Sequence, residues 1–319
     1  MNFRDFIKKL VHGNSIFFIL IVIFAVCSVF VDGFFTQANL TNILRQITVV
    51  TILALGATFI IILGHINVAY GSVIALTGCV ACAVMVSTGS VMLSVLAALS
   101  LGLGIGCING YVITKFRIPA FIMTLAVTTV ARGSALLFTK GAPVTGMGPE
   151  FLVIGQGNLG FIPVSGLILV VLFAITWVLL NKTTFGRYVY AVGGNENAAI
   201  ASGVKSKLVV IKAFILDGIL TAIAGIVLMS RINSGQPAAG VAYEFDAITA
   251  VVVGGTSLSG GSGAIVGTIV GAVIVGIINN VQNLLDVHTY WQQIVKGLII
   301  LFAVILDIIS KNRANRRKL

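Results

Sequence analysis

The sequence predicts an all-α protein, a polytopic membrane bundle of about ten transmembrane helices forming one domain over residues 1–319. Three observations carry that expectation. The composition is 58% hydrophobic and 9% charged, with a mean hydropathy of +1.11, more apolar surface than a soluble globule of 319 residues can bury. The apolar residues fall in runs of about 20, the length that crosses a bilayer core as a helix. The 20 Lys and Arg residues collect at the two ends and in short interruptions between the runs, the pattern of cytosolic segments. The net charge of +11 therefore marks orientation and some attraction to anionic lipid, and nucleic-acid binding is not expected.

The long candidate spans are 15–31, 47–63, 66–87, 91–112, 118–139, 161–180, 208–230, 264–285 and 290–309. Arg4, Lys8 and Lys9 precede the first, which has no small-x-small cleavage site after it and reads as an uncleaved span. Lys311, Arg313, Arg316, Arg317 and Lys318 follow the last. Both N- and C-termini are thus expected to be cytosolic, which demands an even number of crossings. Lys115 and Arg117 fall inside after the fourth span, as the rule wants. The shorter run 247–258 supplies the tenth crossing. Twelve helical residues rise only about 18 Å, short of the roughly 30 Å core. This crossing is expected as a broken short helix, completed by irregular backbone at Gly254, Gly255 and Gly260 to Gly263. Broken backbone at membrane depth needs protein or a wet path around it, so the region is a candidate pathway wall.

Two glycine ladders, Gly102, Gly106, Gly110 and Gly263, Gly267, Gly271, place small residues on one helix face and predict close helix approach. Gly102-x-Gly104 sits inside a span with no strand before it, so it reads as packing. Cys79-x-x-Cys82 has redox or zinc spacing, but with no histidine in its run it also reads as packing, and neither metal nor cofactor is expected. Gly64, Gly71 and Ser72 match Gly254, Gly261 and Ser262 at an offset of 190 residues, a similarity close to chance in a chain with 36 glycines.

The polar island 181–207 interrupts the apolar pattern, and Lys182, Arg187, Lys205 and Lys207 place it in the cytosol. Within it, Gly193 and Gly194 read as a flexible approach to a two-turn helix. Asn195 caps its first amides, Glu196 suits its positive end, and Asn197, Ala198, Ala199, Ile200, Ala201 and Ser202 continue to a left-handed stop at Gly203. So short a helix is unstable alone in water and needs a surface to dock on, its own bundle or a partner.

Ionisable residues inside the spans are few: Arg132, Asp217, Lys212 and Lys296. Each costs about 2.5–3.5 kcal/mol at a helix centre on insertion scales. Lys212 and Lys296 lie near span ends and are expected to snorkel. Arg132 and Asp217 lie deeper and are expected to pair with other groups of the chain, each other included, with direct solute contact as the second reading. Asn109, Asn279, Asn280, Gln282 and Asn283 can join helices or line a wet path, and joining is the commoner use. No Gly-x-x-x-x-Gly-Lys-Ser/Thr occurs, so any ATP-driven work needs an ATPase on another polypeptide.

Several stretches taken together resemble one family. The island is similar to the cytosolic coupling loop of the permease subunits of ribose/xylose/arabinose-type ABC importers. The more specific likeness is Arg231, Gln236-Pro237, Gly240, Tyr243-Glu244-Phe245-Asp246, Val251 to Leu258 with Gly254, Gly255, Thr256 and Ser257, then Gly260 to Gly263, Val266 to Thr268 and Asn279-Asn280. The similarity runs from about residue 40 to the C-terminus. It implies two permease copies, identical or closely related, around one pathway, with ATP-binding subunits beneath and an extracytoplasmic sugar-binding protein above. Loops 140–160 and 231–245 then become docking surfaces for the binding protein. The resemblance has one departure. Where the family reads Gly-Gly-Ile-Asp-Leu-Ser-x-Gly-Ser, this chain has Gly64-His65-Ile66-Asn67-Val68-Ala69-Tyr70-Gly71-Ser72, so any role for a carboxylate at Asn67 is in doubt.

The leading reading is the membrane subunit of an ATP-driven monosaccharide importer, itself not an enzyme. A secondary transporter of a small polar solute is the alternative, but ion coupling uses mid-membrane carboxylates or histidines and this chain offers few. A membrane enzyme lacks a constellation, since His12, His65 and His288 are scattered without adjacent acids. A channel would show rings of charge or a repeated filter. The candidate pathway or packing residues are Asn67, Arg132, Asp217, Gly254, Gly255, Thr256, Ser257, Asn279 and Asn280.

Overall fold

The computed structural model describes residues 15–160, 162–288, 290–299, 301, 302 and 305. The terminal cation clusters and His12 lie outside the described residues. Helix α1 (Ser15–Phe30) is uncharged throughout. Helix α2 (Gln37–Ile62) begins where Thr36 Oγ1 accepts the Asn39 N–H, and its 26 residues extend about 39 Å. The chain turns at Gly64 (φ +78°), continues without regular structure, and enters α3 (Tyr70–Thr88), which Gly89 ends in left-handed geometry. Helices α4 (Val91–Phe116) and α5 (Ala120–Thr139) follow. A short α6 (Pro149–Gln156) leads into a small hairpin, β1 (Asn158–Leu159) antiparallel to β2 (Ile162–Pro163), and then α7 (Val164–Lys182). The island folds as α8 (Thr184–Gly194) and α9 (Glu196–Ala201). Helices α10 (Ser206–Ile232), α11 (Tyr243–Val253) and α12 (Ile265–Leu284) complete the core, and residues 290–299 are again helical.

Among the described residues seven helices are long and apolar enough to cross a membrane: α2, α3, α4, α5, α7, α10 and α12. Each falls on an expected run. Helix α1 is shorter, and the run 290–309 is described only in part. The expected break exists. Helix α11 stops at Val253, and Gly255, Gly260 and Gly261 all take positive φ in the loop that follows.

Helices α2 and α10 form the centre, 89% and 78% buried over their apolar windows, whereas α4, α5 and α7 are only 17–22% buried. The outer helices present side chains such as Leu137 and Val130 to their surroundings. Whole helices with such surfaces belong against lipid.

The glycine ladders set two close helix crossings. A Cβ on Gly102 would meet the Gly218 carbonyl, one on Gly106 the Phe214 carbonyl, and one on Gly110 the Ile211 backbone, so α4 lies directly on α10. The second ladder joins α12 to α11: Gly267 faces the Gly254 carbonyl and Gly271 that of Ala250. Gly263 precedes α12 and packs instead against the Thr256 side chain.

Helices α2 and α10 lie side by side with opposite directions, since Gly56 packs on Asp217 while Ile62 reaches the island. Each is followed by a turn, an irregular stretch and a helix beginning inside the bundle. After α2 these are Gly64, residues 65–69 and α3; after α10 they are Asn233 (φ +52°), residues 234–242 and α11. Both are half-helices in the sense that they start part-way through the bundle, although α3 alone is long enough to span, and they open with the same tripeptide, Val68-Ala69-Tyr70 and Val241-Ala242-Tyr243. Their starts meet, because a Cβ on Gly71 would run into the Gly240 carbonyl. The internal correspondence is one of element order, with an irregular stretch of five residues (65–69) in the first half and nine (234–242) in the second. The similarity at an offset of 190 residues is chance, as expected: 254–262 is the loop beyond α11.

Candidate functional site

Near the midpoint of α10, Asp217 is fully enclosed (1% exposed). Asn67 Nδ2 donates to its Oδ2 at 2.7 Å and the Tyr70 hydroxyl to its Oδ1 at 2.9 Å. Asn67 Oδ1 in turn accepts the Ala69 N–H at 2.9 Å, which shapes the approach to α3. Gly56 leaves room for the carboxylate. This trio fastens the irregular stretch and the first turn of α3 onto α10. It also gives Asn67 a physical rationale: a carboxamide can donate to Asp217, where a carboxylate at that position would need a proton to do so.

Arg132 of α5 does the equivalent for the other half-helix. Its Nη1 donates to the carbonyls of Pro237 at 2.6 Å and Ala239 at 2.8 Å, holding the stretch that leads into α11. Arg132 and Asp217 both have partners within the chain, as expected, and among the partners open to them those observed are other groups, not each other. Asp217 holds the stretch before α3 and Arg132 the stretch before α11.

The first turn of α11 carries two acids. Glu244 faces the backbone N–H groups of Gly71 and Ala242, with the Arg132 guanidinium nearby, so its charge sits between the starts of both half-helices. Asp246 is bonded by Lys296 Nζ at 2.9 Å and faces Asn279. Lys296 therefore reaches inward to an ion pair, and its expected snorkelling is corrected. Glu244, Asp246 and Tyr70 are functional candidates that sequence reasoning missed. The tenth span was drawn from residue 247, which left both acids in a loop. The repeated Val-Ala-Tyr was the available signal.

Asn280 joins helices. Its Nδ2 donates to Asn39 Oδ1 at 2.9 Å, and Asn39 Nδ2 returns the bond at 3.1 Å. Gly254 and Gly255 end α11, Thr256 is buried beneath Gly263, and the Ser257 N–H donates to the Ser262 carbonyl at 3.1 Å. These four residues form the start of the loop that touches the island.

In the island, Asn195 Oδ1 accepts the Ala198 N–H at 2.9 Å, Glu196 occupies the first turn of α9, and Gly203 is left-handed at φ +84°. The capping expectations hold. Gly193 and Gly194 are corrected: both end α8 as helix, and Gly193 is tightly packed while Gly194 is exposed. A Cβ on Gly193 would meet the Ile62 carbonyl. The Gly261 N–H donates to that same carbonyl at 2.8 Å, and the Tyr190 hydroxyl to the Gly263 carbonyl at 2.8 Å. Phe185 stacks on Phe59. Burial lowers the pKa of His65, opposed in part by the nearby Glu196 carboxylate. The island thus docks its α8 on the α2–α3 turn and the 254–263 loop at once. Helix α9 buries Ala199 and leaves Glu196, Asn197, Ala198, Ile200, Ala201 and Ser202 exposed.

Comparison with known proteins fits this construction. A family described as branched-chain amino acid transport system / permease component matches residues 39–304. The chain belongs to this permease family. It is 44% identical over 309 residues to the ribose import permease protein RbsC of Bacillus subtilis (strain 168), covering 96% of this chain and 95% of the relative. Identity to RbsC of Escherichia coli (strain K12) is 42% over 308 residues, 95% and 96% of the two chains. The L-arabinose ABC transporter permease protein AraH of Azospirillum brasilense is 34% identical over 318 residues, 99% and 93%. No solved structure matches the chain. The permease is accordingly a multi-pass protein of the cell membrane.

Proposed function

We propose that this permease is the membrane-spanning subunit of an ATP-driven importer and forms the pathway for a monosaccharide delivered by an extracytoplasmic binding protein. The observation that carries the reading is the join of the island to the α2–α3 turn and to the loop after α11, in a chain 42–44% identical to proteins named ribose import permeases. In this reading the chain crosses the membrane ten times, with α1, α11 and the helix from 290 included. The termini and island are cytosolic, so the opposite ends of α2 and α10 face outward. A second permease copy completes the pathway within the lipid.

Hydrolysis belongs to separate ATP-binding subunits, which meet the exposed face of α9 around Ile200. Movement of α9 passes through Gly193 to the Ile62 turn and the Gly261 loop. Those two points are the inner ends of the 65–69 stretch and of α11, so one displacement acts on both half-helices. Their starts, bridged by Glu244, are where the pathway opens and closes.

Copurification in mild detergent tests this, comparing the native chain with Ala201→Pro and Ile200→Glu and assaying ATPase activity in each. Proline breaks the short helix, while the glutamate changes only an exposed apolar contact. The native chain is expected to bring down an active ATPase that both variants lose while eluting at the native volume. A native chain that purifies alone and takes up sugar on a sodium gradient would replace the importer by a secondary transporter.

A further inference from the structure

At the end of the bundle opposite the island, a cleft of about 520 Å³ opens between α2, α6, α10 and α12. Its walls are Asn42, Arg45, Gln46, Gln156, Arg231 and Asn283, with no carboxylate and no apolar side chain among them. Hydrocarbon would leave these groups unsolvated, so water or a polar ligand fills the space.

The frame is braced from within. Arg45 Nη2 donates to the Gln156 carbonyl at 2.6 Å and to Asn158 Oδ1 at 3.0 Å. Arg231 Nη1 donates to the Arg45 carbonyl at 3.3 Å, and Gln156 Nε2 to the Arg231 carbonyl at 3.1 Å. Asn283 Oδ1 accepts from Gln292 Nε2 at 3.1 Å, which leaves its Nδ2 for the cleft. The Asn42 and Gln46 side chains make no hydrogen bond to another described residue.

The donor and acceptor pattern narrows the ligand. A carboxamide both donates and accepts, whereas a guanidinium only donates. A cation finds no carboxylate here. An anion would use the guanidiniums and leave the carboxamide oxygens facing its own. Vicinal hydroxyls, which each donate and accept, satisfy both kinds of group, and the volume accommodates a sugar ring with water around it. Arg231 also reaches the Tyr243 side chain at the first turn of α11. The cleft is therefore tied to the half-helix whose other end abuts the island.

We propose that this cleft is a low-affinity monosaccharide site, at which Asn42, Gln46 and Asn283 bind ring hydroxyls before passage. The sugar class rests on the importer reading, but the test does not need the importer to be assembled. Saturation-transfer NMR of D-ribose at about 10 mM with the purified chain in lipid nanodiscs reads the site directly. The native chain is expected to give transfer to the ribose ring protons. Gln46→Leu/Asn283→Leu is expected to weaken it about tenfold, from the loss of two hydrogen-bonding groups. Gln46→Asn/Asn283→Leu, which keeps a carboxamide at the first position, is expected to retain part of the signal. Elution volume and melting temperature confirm that each variant folds. Absence of transfer in the native chain, or equal transfer in the double variant, overturns the proposal. So does stronger transfer to gluconate than to ribose, which would mark an anion site. If the double variant keeps ribose transfer but loses affinity for sugar-loaded binding protein, the cleft is a docking surface instead. Copurification of an ATPase fails or succeeds independently of all these outcomes.

Discussion

Removing the Tyr70 hydroxyl probes the mid-bundle trio most directly. Tyr70→Phe deletes one hydrogen bond to a buried carboxylate, which costs about 1.5–3 kcal/mol. The ring itself remains, so packing around the 1% exposed side chain is preserved. Asp217→Asn has a different fault. Its single carbonyl oxygen can accept from Asn67 while its amide donates to the Tyr70 hydroxyl oxygen, which leaves the Tyr70 proton without an acceptor. That leaves one buried donor unmet, again about 1–3 kcal/mol. Combining the two trades the unmet Tyr70 proton for an unmet amide at position 217, still one unmet donor, so the double variant should be more stable than the sum of the singles by about 2 kcal/mol. At roughly 2–4 °C per kcal/mol, each single variant lowers the melting temperature by several degrees and the double by scarcely more than Asp217→Asn alone. All variants are melted in detergent at one scan rate, because unfolding of such a protein is a rate process. Arg132→Met serves as the distant comparison. It frees the Pro237 and Ala239 carbonyls and should add to Asp217→Asn without coupling. Strict additivity between Tyr70→Phe and Asp217→Asn, or rescue of Asp217→Asn by Arg132→Met, would refute the arrangement.

Other consequences are equally open to measurement. Lys296→Met strands the buried Asp246 carboxylate and should destabilise by about 3–5 kcal/mol, with much of the loss recovered when Asp246→Asn is added. Gly218→Val drives a side chain into the Gly102 carbonyl and should cost at least about 2 kcal/mol, read as lower yield and melting temperature, whereas Gly104→Val meets open space and should be tolerated. Gly193→Val should uncouple the island from the Ile62 turn, so that ATPase still copurifies but sugar uptake is lost; retained uptake would remove the island from the coupling route. Because burial holds the His65 pKa below its ordinary value near 6.5, the unfolded chain binds the extra proton first. The difference in melting temperature between the native chain and His65→Asn should be flat above that pH and shift against the native chain as the pH drops below it.

Much of the architecture was legible in the chain because a bilayer reduces folding to few choices. A run of about 20 apolar residues has to be a helix when no water is present to satisfy its backbone. The seven long spans, the break after Val253 and the capped turn from Asn195 to Gly203 follow from local composition, as does the close approach at Gly102, Gly106 and Gly110. Partners separated by long stretches of chain were not legible. Asn67 and Asp217 stand 150 residues apart, and Arg132 lies 105 residues from Pro237. A buried charge announces that it needs a partner, but its own neighbourhood in the sequence does not say which one. Only the antiparallel packing of α2 and α10 decided that. The same packing brought Gly71 against Gly240 and so turned two unremarkable Val-Ala-Tyr segments into facing half-helices. It also pressed Gly193 against Ile62, making a packed joint of what the sequence reads as a flexible hinge. Glycine permits both outcomes, and the choice between them belongs to whatever tertiary structure places within reach.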